Sequence, residues 1–262
     1  MKIMVRADDG QVASVAARLI AEQVKARPGS VLGLATGRTM ERVYAELVAI
    51  ARAEAIDFSR CRSFNLDEYV GLPAGSVHSY RAYMEAHLFR HIDIRPENTM
   101  LPDGMAADLE SEAARYDAAI REAGGIDLQL AGIGETGHIG FNEPLSPLAS
   151  RTRAITLAPG TRRQNAGLFG GDVDAVPRRA LTMGVGVILE ARQVVLVATG
   201  AAKAAILARA VEGPVTSMIS ASALQFHANC LVIADEPAAA QLQHRDYYDS
   251  MVATDPEFAP FR

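Results

Sequence analysis

Unbroken apolar runs of strand length, each followed by a glycine or polar turn and then a helix-length amphipathic segment, constrain this chain more than any other feature. Val31-Leu32-Gly33-Leu34-Ala35 precedes Thr36-Gly37-Arg38-Thr39, after which Met40, Val43, Tyr44, Leu47 and Ile50 recur at helical spacing. The unit returns at 194–198, where Thr199-Gly200 leads into a helical stretch at 201–211 carrying Lys203. It returns again at 230–234, where Asp235-Glu236-Pro237 opens a helix at 238–243; proline in a first helical turn is a start signal. Further strands are expected at 3–6, 62–66 and 126–131, and further helices at 11–26, 79–91 and 107–123. Strands that read as continuous apolar runs are covered on both faces. With helices between them they predict an α/β fold, an open, mostly parallel, doubly wound sheet of Rossmann-like type with helices on both sides. Ligands of such sheets bind at the carboxyl ends of the strands, so chemistry is expected just after each apolar run.

A chain of 262 residues can bury a sizeable core. No Ser/Gly/Pro linker or internal repeat divides it, and a single domain over 1–262 is the expectation. Residues 144–171 contain proline, glycine and arginine but no acidic residue, and predict an active-site flap, with the lid at about 145–182. The net charge of −5 gives no general attraction to nucleic acid or anionic membrane, so an anionic ligand needs a local positive cluster. The most apolar run, 194–202, is too short to span a bilayer. Cys61 and Cys230 form neither a disulfide framework nor a zinc site, and a reducing cytoplasm fits them.

Gly132-Ile133-Gly134-Glu135-Thr136-Gly137 has the spacing of a dinucleotide-binding loop, but that loop must open a helix. The following His138-Ile139-Gly140-Phe141-Asn142-Glu143-Pro144-Leu145-Ser146-Pro147 contains two prolines and a glycine, which excludes one, and no redox cofactor is expected. What remains is His138 and Glu143 on a glycine-rich loop, suited to proton transfer near neutral pH. Asp67-Glu68 ends another strand and adds a second carboxylate pair; the bland reading of Asp67 is a helix N-cap. Thr36, Gly37, Arg38 and Thr39 at a helix start offer N–H groups, hydroxyls and a guanidinium to an anion, and Lys203 supplies a further point charge. Together they suggest a small phosphorylated ligand. His78, His87, His91, His227 and His244 share no metal-ligand spacing, so no metal is expected.

The run Phe64-Asn65-Leu66-Asp67-Glu68-Tyr69-Val70-Gly71-Leu72-Pro73, with Gly137-His138-Ile139-Gly140-Phe141-Asn142-Glu143-Pro144, closely resembles the glucosamine-6-phosphate deaminase (isomerase) family. Ser150-Arg151-Thr152-Arg153, Ala180-Leu181-Thr182-Met183-Gly184-Val185-Gly186, Val211-Glu212-Gly213 and Asp235-Glu236-Pro237 extend the resemblance over nearly the whole chain. It implies ring opening of an amino-sugar phosphate, proton transfer between C2 and C1, loss of ammonia and addition of water, giving fructose 6-phosphate without cofactor or metal. It makes Asp67 the base at C2, and His138 the group that opens the ring with Glu143 as partner. Thr136, just before Gly137-His138, stands where the family commonly has Asp or Asn and is a first departure from it.

Two further departures stand out. Arg38 intrudes into the phosphate turn and Met40 replaces its usual proline, while Gly167 stands where the family's lid arginine reaches the phosphate. Arg38 is expected to take over that contact. Ile155 replaces the lysine of the family's effector site, which predicts weak or absent activation by the N-acetylated sugar phosphate. The alternatives are a deaminase of a different amino sugar, either galactosamine 6-phosphate or a non-phosphorylated one, and a non-catalytic sugar-phosphate sensor. The expected partner is a small molecule, with homo-oligomerisation left open.

Overall fold

The apolar runs are strands in the computed structural model, which describes residues 1–73 and 75–261. In chain order come β1 (Lys2–Arg6), α1 (Asp9–Ala26), β2 (Val31–Leu34), α2 (Arg38–Ala53), β3 (Arg62–Asn65), β4 (Asp67–Tyr69), α3 (Tyr80–His87), β5 (Thr99–Met100), α4 (Leu109–Glu122) and β6 (Leu128–Gly132). Then follow β7 (Arg153–Thr156), α5 (Pro159–Asn165), β8 (Arg179–Thr182), α6 (Val185–Leu189), β9 (Gln193–Ala198), α7 (Ala204–Val211), β10 (Cys230–Asp235), α8 (Glu236–Ala239) and α9 (Arg245–Thr254).

Seven strands pair in parallel in the order β1-β10-β9-β6-β2-β3-β5. β2 and β10 are buried at every residue, which is why neither alternates in sequence. The chain winds outward from β2 through β3 to β5, then returns beside β2 as β6 and winds outward the other way through β9 and β10. Winding therefore reverses between β2 and β6, and the loops leaving those two strands diverge to open a crevice. Asp127 fastens the opposite end of the same strands. Its buried carboxylate accepts from the Val31 N–H at 2.8 Å, Arg27 Nη1 at 2.6 Å and Arg192 Nη1 at 3.0 Å. Cys61 and Cys230 are buried free thiols.

Several elements depart from the expectation. A second, antiparallel sheet, β4-β8-β7, was not foreseen, because its strands have three or four residues and β7 is half-exposed, so none makes an apolar run. The segment expected as an active-site flap carries secondary structure of its own, namely β7, α5, a 3₁₀ turn at Ala166–Phe169 and β8. Pro159 sits in the first turn of α5, where its missing N–H is harmless. The helix expected at 79–91 divides into α3 and a 3₁₀ turn at Phe89–His91, and the one expected at 238–243 is confined to Glu236–Ala239. α9 was missed because it buries only Tyr248 and Val252.

Candidate active site

A cavity of about 470 Å³ opens at the carboxyl ends of β9, β6, β2 and β3, four neighbours in the sheet, at the point where the winding reverses. Thr36, Gly37, Arg38 and Thr39 line it from the turn after β2, Asp67 from the step between β3 and β4, His138 from the loop after β6, and Lys203 from the turn after β9. Residues that the sequence placed at separate strand ends thus share one space. Thr136 and Glu143 stand behind His138 and are not part of the lining.

The loop after β6 is shaped for the imidazole. Gly134 N–H donates to the His138 carbonyl at 2.9 Å and Gly137 N–H to the Gly134 carbonyl at 3.0 Å, with Gly137 in the left-handed region at φ +82°. A Cβ on Gly134 would run into the His138 ring. The glycines that mimic a dinucleotide loop therefore admit an imidazole instead. Thr136 Oγ1 lies 2.8 Å from His138 Nδ1, and Glu143 Oε2 lies 3.6 Å from the same nitrogen. Glu143 Oε1 accepts from the Ala158 N–H at 3.1 Å, while Oε2 is buried with no hydrogen-bond partner among the described residues. Burial, helped by the Lys203 charge, holds His138 below its ordinary value against the pull of Glu143, so the ring is neutral at pH 7.

The two carboxylates of β4 do different things. Asp67 is 6 % exposed, and burial followed by the like charge of Glu68 pushes it up to about 8. It caps no helix. Glu68, read from the sequence as a further proton-shuttling group, instead accepts from the Tyr69 and Tyr80 N–H groups at 2.9 Å each and from the Arg81 N–H at 3.0 Å. It anchors the first turn of α3, whose free N–H groups need an acceptor. Alternation along the strand turns the two side chains to opposite faces.

α3 carries residues that sequence reasoning passed over. Tyr80 and Tyr83 line the cavity, and the Tyr83 hydroxyl donates to the Gly37 carbonyl at 2.8 Å. The signal was present: Ser79 caps α3 by accepting from the Ala82 N–H, and the tyrosines follow three apart on one face. Gly37, at φ +118°, gives α2 no side-chain cap, which leaves first-turn N–H groups open to an anion. Thr39 Oγ1 lies 3.3 Å from Thr199 Oγ1 and ties the turn after β2 to the turn after β9. Asp235 accepts from the Gly200 N–H with both oxygens, at 3.0 and 2.9 Å, and so holds the turn that presents Lys203. Burial lowers the Lys203 ammonium from its ordinary value, against the opposing pull of Glu135. Across the mouth, a methyl group on Gly167 would lie 3.3 Å from Arg38 Nη2, so the guanidinium occupies the space beside that glycine.

Comparison with known proteins shows the family and the fold. The chain is 47 % identical to glucosamine-6-phosphate deaminase of Mycolicibacterium smegmatis over 248 residues, covering 95 % of each chain. It is 45 % identical to the enzyme of the same name from Streptomyces coelicolor over 258 residues, covering 98 % of this chain and 99 % of that one. A solved structure described as a monomeric glucosamine-6-phosphate deaminase superposes with a TM-score of 0.90 at 40 % identity, over 92 % of this chain and 100 % of that one. The 6-phosphogluconolactonase from Trypanosoma cruzi shares the fold, with a TM-score of 0.72 at 20 % identity over 92 % and 97 %. A family model described as glucosamine-6-phosphate isomerases/6-phosphogluconolactonase matches residues 7–233, and the chain belongs to that family.

Proposed function

We propose that the protein is an enzyme converting glucosamine 6-phosphate and water into fructose 6-phosphate and ammonia. The observation that supports this most is one cavity holding a buried carboxylate, a neutral imidazole backed by a hydroxyl and a second carboxylate, and two turns that carry Arg38 and Lys203. Isomerisation beside a carbonyl needs a base at C2 and an acid/base at the oxygens, and these groups supply both. The phosphate lies against the open first turn of α2, with Thr36, Gly37 and Thr39 around it and Arg38 and Lys203 as counter-charges. His138, neutral and oriented by Thr136, handles the ring-oxygen and anomeric protons during ring opening, and Glu143 stabilises the imidazolium that forms. Asp67 in its ionised form takes the C2 proton and returns it at C1. Loss of the amine as ammonia and addition of water complete the change.

Arg38 supplies the guanidinium that a residue at Gly167 would otherwise bring, which keeps the phosphorylated sugar as the preferred substrate. The segment 145–182 serves as a lid, within a single domain over the whole chain. No helix among the described residues is long and apolar enough to cross a membrane. We place the protein in the cytoplasm, where two buried free thiols stay reduced. The test is ammonia release from glucosamine 6-phosphate, galactosamine 6-phosphate and free glucosamine, with Asp67→Asn as control. Turnover of the first, abolished by the substitution, is expected; silence on all three, or turnover of free glucosamine alone, overturns the reading.

A further inference from the structure

We propose that Asp67 selects a protonated amino group on C2 of the sugar, acting as a buried carboxylate to which the protein gives no positive partner and the substrate brings one. The inference rests on the amino-sugar phosphate reading above. Among the described residues no N–H, O–H or cationic side chain reaches the Asp67 carboxylate; burial and the like charge of Glu68 are what act on it. The groups around it are Glu68 on its own strand, spent on α3, and the phenols of Tyr69, Tyr80 and Tyr116, which feel its charge. His138, Arg38 and Lys203 line the same cavity without pairing to it. Gly140, at φ +55°, has its missing Cβ 3.3 Å from Asp67 Oδ2, so the loop after β6 passes close without offering a donor.

A carboxylate so placed holds its proton, with about one in ten molecules ionised at pH 7 for a group titrating at about 8. An opposite charge within about 4–6 Å favours the charged form. The amino group sits on the carbon whose proton Asp67 must take, so the ligand that needs the base also ionises it. On binding at pH 6.5, the Asp67 carboxyl and the ligand's ammonium become a carboxylate–ammonium pair, and one proton passes to solvent. A sugar phosphate with a neutral C2 substituent binds through its phosphate and leaves Asp67 protonated.

The test uses two open-chain alditols that cannot isomerise, 2-amino-2-deoxyglucitol 6-phosphate and glucitol 6-phosphate. Each is titrated by calorimetry into the full chain and into Asp67→Asn at pH 6.5, in two buffers of different ionisation enthalpy. The amine is expected to bind about tenfold or more tighter than the alcohol, and to release close to one proton more per site. The alcohol releases only the roughly one quarter of a proton that a phosphate with a second pKa of about 6 still holds at pH 6.5, and in Asp67→Asn the preference and the extra proton both disappear. Equal binding of the two alditols by the unsubstituted chain, or a preference and an extra proton that survive in Asp67→Asn, overturns this inference alone. Binding of neither overturns the sugar-phosphate reading and this inference with it.

Discussion

Replacing Asp67 with Asn removes the proposed base and stabilises the fold, and the stabilisation has a defined dependence on pH. Burial raises this carboxyl from its ordinary 3.8 to about 8. Because the folded value lies above the unfolded one, the folded chain keeps a proton between about pH 4 and 8 that the unfolded chain has lost. The contribution of Asp67 to stability therefore falls across that window by about 1.4 kcal/mol per pH unit. Asparagine does not titrate, so near pH 4 this source of difference vanishes, and by pH 7 the variant is ahead by at most about 4 kcal/mol. Above about pH 8 the gap stops widening. For a chain of this size such a gain is roughly a 10 °C rise in Tm. The measurement is urea unfolding of both proteins, free of ligand, at pH 5, 6, 7 and 8. Parallel stability profiles would refute the reasoning, because they would mean that Asp67 is ionised and satisfied in the folded state.

Arg38→Ala is expected to raise KM for the phosphorylated substrate about tenfold to a hundredfold, while Arg38→Ser combined with Gly167→Arg recovers most of the loss; an unchanged KM in Arg38→Ala ends that assignment. Thr136→Asp places a carboxylate where a hydroxyl now lies 2.8 Å from His138 Nδ1, so the imidazole titration seen by NMR moves up by about one unit or more. A midpoint that stays put in that variant shows that residue 136 does not face the ring. Arg153 is spent on Asn142 Oδ1 and Ser146 Oγ, each at 2.9 Å, and Ile155 adds no charge on β7. Initial-rate curves should therefore be hyperbolic with or without N-acetylglucosamine 6-phosphate, and a sigmoidal curve that the effector makes hyperbolic would contradict this.

The parallel sheet was legible because a strand covered on both faces writes its burial directly into sequence, as 194–198 and 230–234 do. The positions of Thr36, Asp67, His138 and Lys203 followed from the same pattern, since a parallel sheet gathers its strand ends. Other parts depend on pairings that no local pattern encodes. β4, β7 and β8 are too short and too polar to announce themselves, and β4 is recognisable only once β8 lies against it. Adjacent carboxylates at 67 and 68 look alike in sequence. Only the return of α3 over the strand shows that Glu68 anchors a helix while Asp67 faces the cavity. The approach of Arg38 to Gly167 joins two segments far apart in the chain, so the departure at each position was visible but their contact was not.

Glu68 anchors the start of α3, and Tyr83 on that helix holds the Gly37 carbonyl, so a hydrogen-bonded strut runs from the neighbour of the proposed base to the turn proposed to hold the phosphate. Such a strut works as a ruler. It fixes the separation between the carbon attacked and the phosphate gripped, and that separation is set in the substrate by the number of carbons between them. A sugar one carbon shorter, seated by its phosphate, presents the wrong atom to Asp67. Chain length is then checked by the frame of the protein before any hydroxyl is read.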